Sequence, residues 1–164
     1  MAYNRTILIP SFQHYDIDHA GEPSFTKAQY IVQRCASSGW RQSTVCCPSI
    51  CPDQPMEHSA RGRGAELLPG LKLIETSGHV PGHQSVLVQL PQTGAILLTV
   101  DAVPFGAGFT RDDPDDGSNP NGEAGRASTL KLLDLVEREQ IGLVIFGHDN
   151  AQWETLKKAP AFYE

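Results

Sequence analysis

Histidine and aspartate side chains gather at four places in this sequence, and each gathering directly follows a short apolar run. His14, Asp16, Asp18 and His19 come after TILIP at 6–10, and His79 and His83 after LKLIET at 71–76. Asp101 closes AILLTV at 95–100, and His148 follows LVIF at 143–146. Neutral imidazole and carboxylate oxygen both bind Zn2+ at about 2.0–2.2 Å. More ligand-type side chains are present than one tetrahedral ion takes, and a shared carboxylate suits two metals about 3.5–4 Å apart. Such a pair lowers the pKa of bound water to about 7, giving hydroxide at neutral pH. Taken singly, each residue has an ordinary reading. Residues 14–19 suit an exposed loop, Asp101 a cap, and His148 a buried hydrogen-bonded histidine. The joint pattern favours a metal centre.

For these side chains to meet, the apolar runs must be strands of one α/β sheet, because ligands collect where strands end and loops converge. The runs at 6–10, 29–33, 71–76, 85–90, 95–100 and 143–146 read as strands, with a hairpin turn at 91–94. Leu130, Leu133, Leu135 and Val136 have helical spacing within 123–139, and a short helix is expected in 152–158. Residues 104–121, rich in Gly, Pro and Asp, read as a surface loop. Between 34 and 64 neither period survives, so this stretch is expected to be irregular within a single domain spanning 1–164. Its cysteines Cys35, Cys46, Cys47 and Cys51 match no zinc-knuckle spacing and read as free thiols.

With 164 residues, 40% of them hydrophobic, the chain can form one packed domain. A net charge of −6 with no basic block argues against a nucleic-acid partner. The first ten residues are too short and polar for a secretory signal, and no apolar run reaches a membrane span, so the expected location is cytoplasmic.

The motifs themselves resemble those of the metallo-β-lactamase superfamily. His14-Tyr-Asp16-Ile-Asp18-His19-Ala-Gly resembles the HxHxDHAG signature. Gly78-His79-Val-Pro-Gly-His83 resembles the third metal motif of N-acyl homoserine lactonases. Thr99-Val-Asp101 resembles the strand bearing the bridging aspartate, and Gly147-His148-Asp149 the final histidine motif. The resemblance implies an α/β fold of the αβ/βα sandwich type. It implies that His14, Asp16 and His83 hold the first metal, that Asp18, His19 and His148 hold the second, and that Asp101 bridges them. Zn2+ is the implied ion, with Mn2+ or Fe2+ as alternatives. His79 is then a support for the loop, and His58 an ordinary exposed residue. The implied activity is opening of lactone rings, as in quorum quenching, with Asp18 or Asp101 carrying the proton. The alternatives are hydrolysis of a thioester or phosphodiester, or a non-catalytic remnant of such an enzyme.

Three departures qualify the expectation. Asp16 stands where the signature has histidine, and the added negative charge makes the metal a weaker Lewis acid, suiting a harder ion such as Mn2+. Pro104, followed by Phe105, occupies the place where the lactonases carry a tyrosine. The chain also begins one strand before the first motif, so most of the N-terminal half of the fold is expected to be absent. A sheet left uncovered in this way would favour self-association.

Overall fold

The computed structural model describes residues 5–8, 28–33, 57–59, 65–80, 82–114 and 122–164, the first three segments and residue 65 by backbone alone. Three strands, β1 (Arg5–Leu8), β2 (Ala28–Gln33) and β3 (Glu57–Ser59), form a parallel sheet in the order β1-β2-β3. A second sheet runs β4 (Ala65–Leu68), β5 (Leu71–Glu75), β6 (Gln84–Leu90), β7 (Gly94–Val100) and β8 (Leu143–Phe146), in that spatial order. β4 to β7 pair antiparallel, and β8 joins β7 in parallel. A parallel neighbour needs a crossover connection. Helix α1 (Gly122–Glu139) lies on that connection, and a short helix α2 (Asn150–Trp153) follows β8.

The period-two alternation of β6 and β7 divides their apolar side chains between two faces. Leu87 and Leu97, opposite one another in register, pack with Leu132 and Leu135 of α1, Ala102, Val103 and Ile141. Val86 faces the other way beside Leu73, with Leu67, Leu71, Val88 and Leu98 around them. Leu97 and Leu132 are completely buried. Burial of each side chain stabilises the fold by about 1.5–3 kcal/mol. On α1 the buried stripe is Gly125, Ser128, Thr129, Leu132 and Leu135. Small residues fill its first turns and leucines its later ones, so the start of the helix approaches its neighbours closely while its end fills the core. The helix stops in a Schellman arrangement. Gln140 takes φ 51°, its N–H reaches the Glu137 carbonyl, and the Ile141 N–H reaches that of Val136 at 3.0 Å.

The expected strands and the long helix are present with boundaries shifted by one or two residues. Three features differ from the sequence reading. β3 lies inside the stretch expected to be irregular: Glu-His-Ser has no apolar alternation, and its extended form comes from pairing with Ile31–Gln33. β4 likewise has no periodic signal and is defined by β5 across a bulge between Glu66 and Leu68. The last short helix spans Asn150–Trp153 rather than 152–158, because the Asp149 carboxylate caps it by accepting from the Gln152 N–H. Among the described residues no helix is long and apolar enough to cross a membrane.

Candidate metal centre

Strand polarity brings three of the predicted clusters to one edge of the second sheet. β5 ends at Glu75 beside the start of β6 at Gln84. β7 runs antiparallel to β6, so its end at Val100 lies on that same side, and β8, parallel to β7, ends next to Val100 at Phe146. The loop 76–83, Asp101 and His148 therefore leave the sheet together.

Asp101 is aimed by an irregularity. The β7–β8 register shifts between Leu98 and Val100, and Val100 adopts φ 54°, an uncommon conformation for a β-branched residue. Its carbonyl packs against Gly147, where an added Cβ would sit 2.5 Å from that oxygen. The approach lets the next residue reach the carboxylate: His148 Nε2 lies 2.9 Å from Asp101 Oδ1. On the other side His79 Nε2 is 4.0 Å from Asp101 Oδ2. Asp101 is buried at 4% exposure, whereas the His148 side chain is half exposed.

The two loops at this edge are tied to each other. The His148 N–H donates to the Pro104 carbonyl, and the Gly106 N–H donates to Asp149 Oδ2, both at 2.9 Å. The backbone N–H groups of Gln152 and Gly106 hold the Asp149 carboxyl below the usual carboxylate range. Gln152 completes the edge of β8 by accepting from the Phe146 N–H and donating to the Val144 carbonyl. Gly147→Ala should push Val100 and His148 apart, lowering stability by on the order of 1–3 kcal/mol as overpacking does. Denaturant unfolding checks this; unchanged stability would show that the contact at Gly147 is not tight.

Loop 76–83 is anchored to α1. Ser128 Oγ donates to the Ser77 carbonyl at 2.7 Å, and Lys131 Nζ reaches both the carbonyl and the carboxylate of Glu75. Burial alone would raise the Glu75 carboxyl, but its hydrogen bonds to Lys131 and Ser77 outweigh that and lower it. Gly78 meets Gly125 so closely that a Cβ on Gly78 would lie 2.6 Å from the Gly125 Cα. The loop closes when the Thr76 N–H donates to the His83 carbonyl at 2.8 Å.

His83 is completely buried. Its Nδ1 lies 2.8 Å from Thr76 Oγ1, while its Nε2 finds no hydrogen-bond partner among the described residues. Burial pushes its pKa down to about 4; the charge of Asp101 opposes this and His79 reinforces it. The His79 and His83 rings stand nearly perpendicular with centroids 6.3 Å apart. A buried neutral imidazole with one unmatched nitrogen is the form in which histidine binds a metal.

The fold thus brings His79, His83, Asp101 and His148 to one edge. His79 flanks the carboxylate, its Nε2 4.0 Å from Asp101 Oδ2. His14, Asp16, Asp18 and His19 lie outside the described residues, and so do Cys35, Cys46, Cys47 and Cys51. Among the described residues no three His, Cys, Asp or Glu side chains form a group able to hold a metal ion. Thr76 and Ser85, which position the site, carry no signal of their own in the sequence; Gly147 and Asp149 enter there only as members of the final histidine motif, and Asp149, directly before the short helix, also carries a recognisable capping signal.

The chain resembles known lactonases over most of its length. The chain is 31% identical over 151 residues to the N-acyl homoserine lactonase AiiA of Bacillus thuringiensis subsp. kurstaki, covering 91% of this chain and 58% of that protein. It is 39% identical over 171 aligned positions to the N-acyl homoserine lactonase AttM of Rhizobium radiobacter, covering 92% and 61%. Among solved structures it matches an N-acyl homoserine lactone hydrolase with the product N-hexanoyl-L-homoserine bound at its catalytic metal centre. That match has TM-score 0.76 and 28% identity, over 96% of this chain and 61% of the other. A hydrolase of the β-lactamase superfamily shares the fold alone, at TM-score 0.59 and 18% identity. The chain spans about three-fifths of the length of these curated relatives. No family model matches it.

Proposed function

The chain is a homologue of the N-acyl homoserine lactonases with a metallo-β-lactamase fold, and from that premise we propose that it takes part in metal-dependent opening of lactone rings. One observation carries the reading. Asp101 is buried at the end of β7 with His148 and His79 on its two oxygens, beside a buried His83 whose Nε2 is unmatched.

The described residues supply part of a metal centre and not the whole of one. Nε2 of His83 is buried with no hydrogen-bond partner among the described residues, and the buried Asp101 carboxylate lies between His148 and His79. By resemblance His83 would belong to one metal and His148 to the other, with Asp101 shared and His14, Asp16, Asp18 and His19 completing the two sites, zinc being the first candidate. The three described side chains do not form such a group by themselves. A bound pair supplies activated water and a polarised ester carbonyl. The residues do the rest. Ring opening adds water across the ester: the ring C–O bond breaks, a carboxylate forms, and the departing oxygen takes a proton. Asp101 is held from both sides, so Asp18 is the residue we assign to move that proton.

A second reading has its own support. Position 104 carries proline, whose carbonyl accepts from His148 N–H, so no phenol stands there to assist the departing oxygen of a lactone. Hydrolysis of another ester class, thioester or phosphodiester, follows from that difference. The discriminating assay offers the zinc-loaded chain a homoserine lactone, a thioester and a phosphodiester and follows acid release. The first reading expects the lactone to be opened fastest; preference for either other ester transfers the assignment to the second. The chain should bind between about one and two equivalents of zinc, and His83→Ala and His148→Ala should each lower content or affinity. Unchanged metal content in both variants removes the proposed centre.

A further inference from the structure

We infer that Asp149 is a positioning residue for His148: one of its carboxylate oxygens starts helix α2, and the other straps the exit of β8 to the exit of β7, holding His148 against Asp101. Half of the His148 side chain is open to solvent, so its direction depends strongly on the backbone that carries it. That backbone is tied at three consecutive residues to the segment around Asp101. Gly147 takes the Val100 carbonyl into the space where a side chain would stand, and the His148 N–H donates to the Pro104 carbonyl at 2.9 Å. The third tie is the Gly106 N–H, which donates to Asp149 Oδ2 at 2.9 Å.

β7 and β8 are parallel, and a parallel ladder continued past their ends would give the Gly106 N–H to the His148 carbonyl. The chain instead turns into α2 directly after His148, and the Asp149 backbone serves that helix, its carbonyl accepting from the Trp153 N–H at 2.9 Å. The Asp149 side chain takes the Gly106 donor in place of a backbone oxygen. Glycine is what lets the strap close, since a Cβ on Gly106 would lie 3.2 Å from Asp149 Oδ2 and 3.0 Å from the Phe146 ring. Oδ1 meanwhile accepts from the Gln152 N–H at 2.9 Å and caps the helix. Strap and cap use different oxygens, so they can be separated. The inference rests on the proposed role of His148 as a metal ligand, but the strap itself does not.

Asp149→Ser keeps one oxygen that can cap α2 but not one that also reaches Gly106, whereas Asp149→Ala loses both. Thermal unfolding of the metal-free full-length chain should therefore place Asp149→Ser near the wild type and Asp149→Ala below it. Chelator competition should group the two variants together. The zinc that His148 holds by resemblance should be weakened by about tenfold or more in both, and the other zinc equivalent kept. Amide hydrogen exchange of the metal-free chain should show Gly106 losing its protection in both variants, and Gln152 keeping it in Asp149→Ser. Wild-type zinc affinity in Asp149→Ser overturns the inference and leaves Asp149 a helix cap; so does a Gly106 amide that stays protected in both variants. Zinc binding indifferent to His148→Ala removes the ligand role instead, and Gly106 exchange then decides the strap alone.

Discussion

Asp101→Asn should lower zinc affinity, and any lactone opening that depends on it, by more than about a hundredfold, beyond the 10–100-fold typical of groups that support the ligands from outside. The metal-free variant should nevertheless be as stable as the parent, or more so. Asp101 holds a carboxylate at 4% exposure, with His148 at 2.9 Å and His79 at 4.0 Å, and taking an ionised carboxylate out of water costs a fold its desolvation. An amide of the same shape removes that charge and leaves the packing intact. Chelator competition and thermal unfolding of metal-free samples separate the two effects. A folded Asp101→Asn chain with undiminished affinity would take Asp101 out of the site, and a metal-free variant that unfolds much earlier would make it a structural residue instead.

Acid should weaken the metal-free protein through His83. Its folded-state pKa is depressed to about 4 by burial, against an ordinary value of 6.5. The unfolded chain therefore takes up the proton first. The contribution of the neutral imidazole is complete above about pH 6.5 and declines as the pH falls towards 4, where the folded state also protonates. The loss across that window is on the order of 3 kcal/mol. Urea unfolding of the metal-free chain at several pH values, beside His83→Gln, isolates this term. The variant should lose the extra slope, whereas parallel curves for the two proteins would show that His83 is not buried neutral. Zinc should oppose the decline at the upper end of the window, since metal and proton compete for the same imidazole.

Much of this site can be read in the sequence because local pattern and chemistry agree there. β5 to β8 are apolar runs whose pairing is constrained by two buried faces, and α1 repeats small and leucine side chains at three- and four-residue steps. Asp101 and His148 stand one and two residues beyond strands that could be placed from those runs, so their meeting follows from β8 lying parallel to β7. What escaped the reading depends on partners distant in sequence. β3 and β4 have no pattern of their own and take their form from the neighbouring strand. The positive φ of Val100 and the close approach of Gly147 exist only once β7 and β8 are paired. Thr76 and Ser85 look like ordinary polar residues in apolar strands until His83 folds back over them. The cluster at 14–19 falls outside the described residues, so its place in the centre rests on resemblance.

The most direct measurement is anomalous diffraction at the zinc edge from crystals of the zinc-loaded chain. The account predicts a zinc peak within about 2.0–2.2 Å of His83 Nε2 and of an Asp101 or His148 ligand atom, at the edge where β5, β7 and β8 end. A strong peak elsewhere, or a well-ordered His83 Nε2 with no metal beside it at saturating zinc, would contradict it.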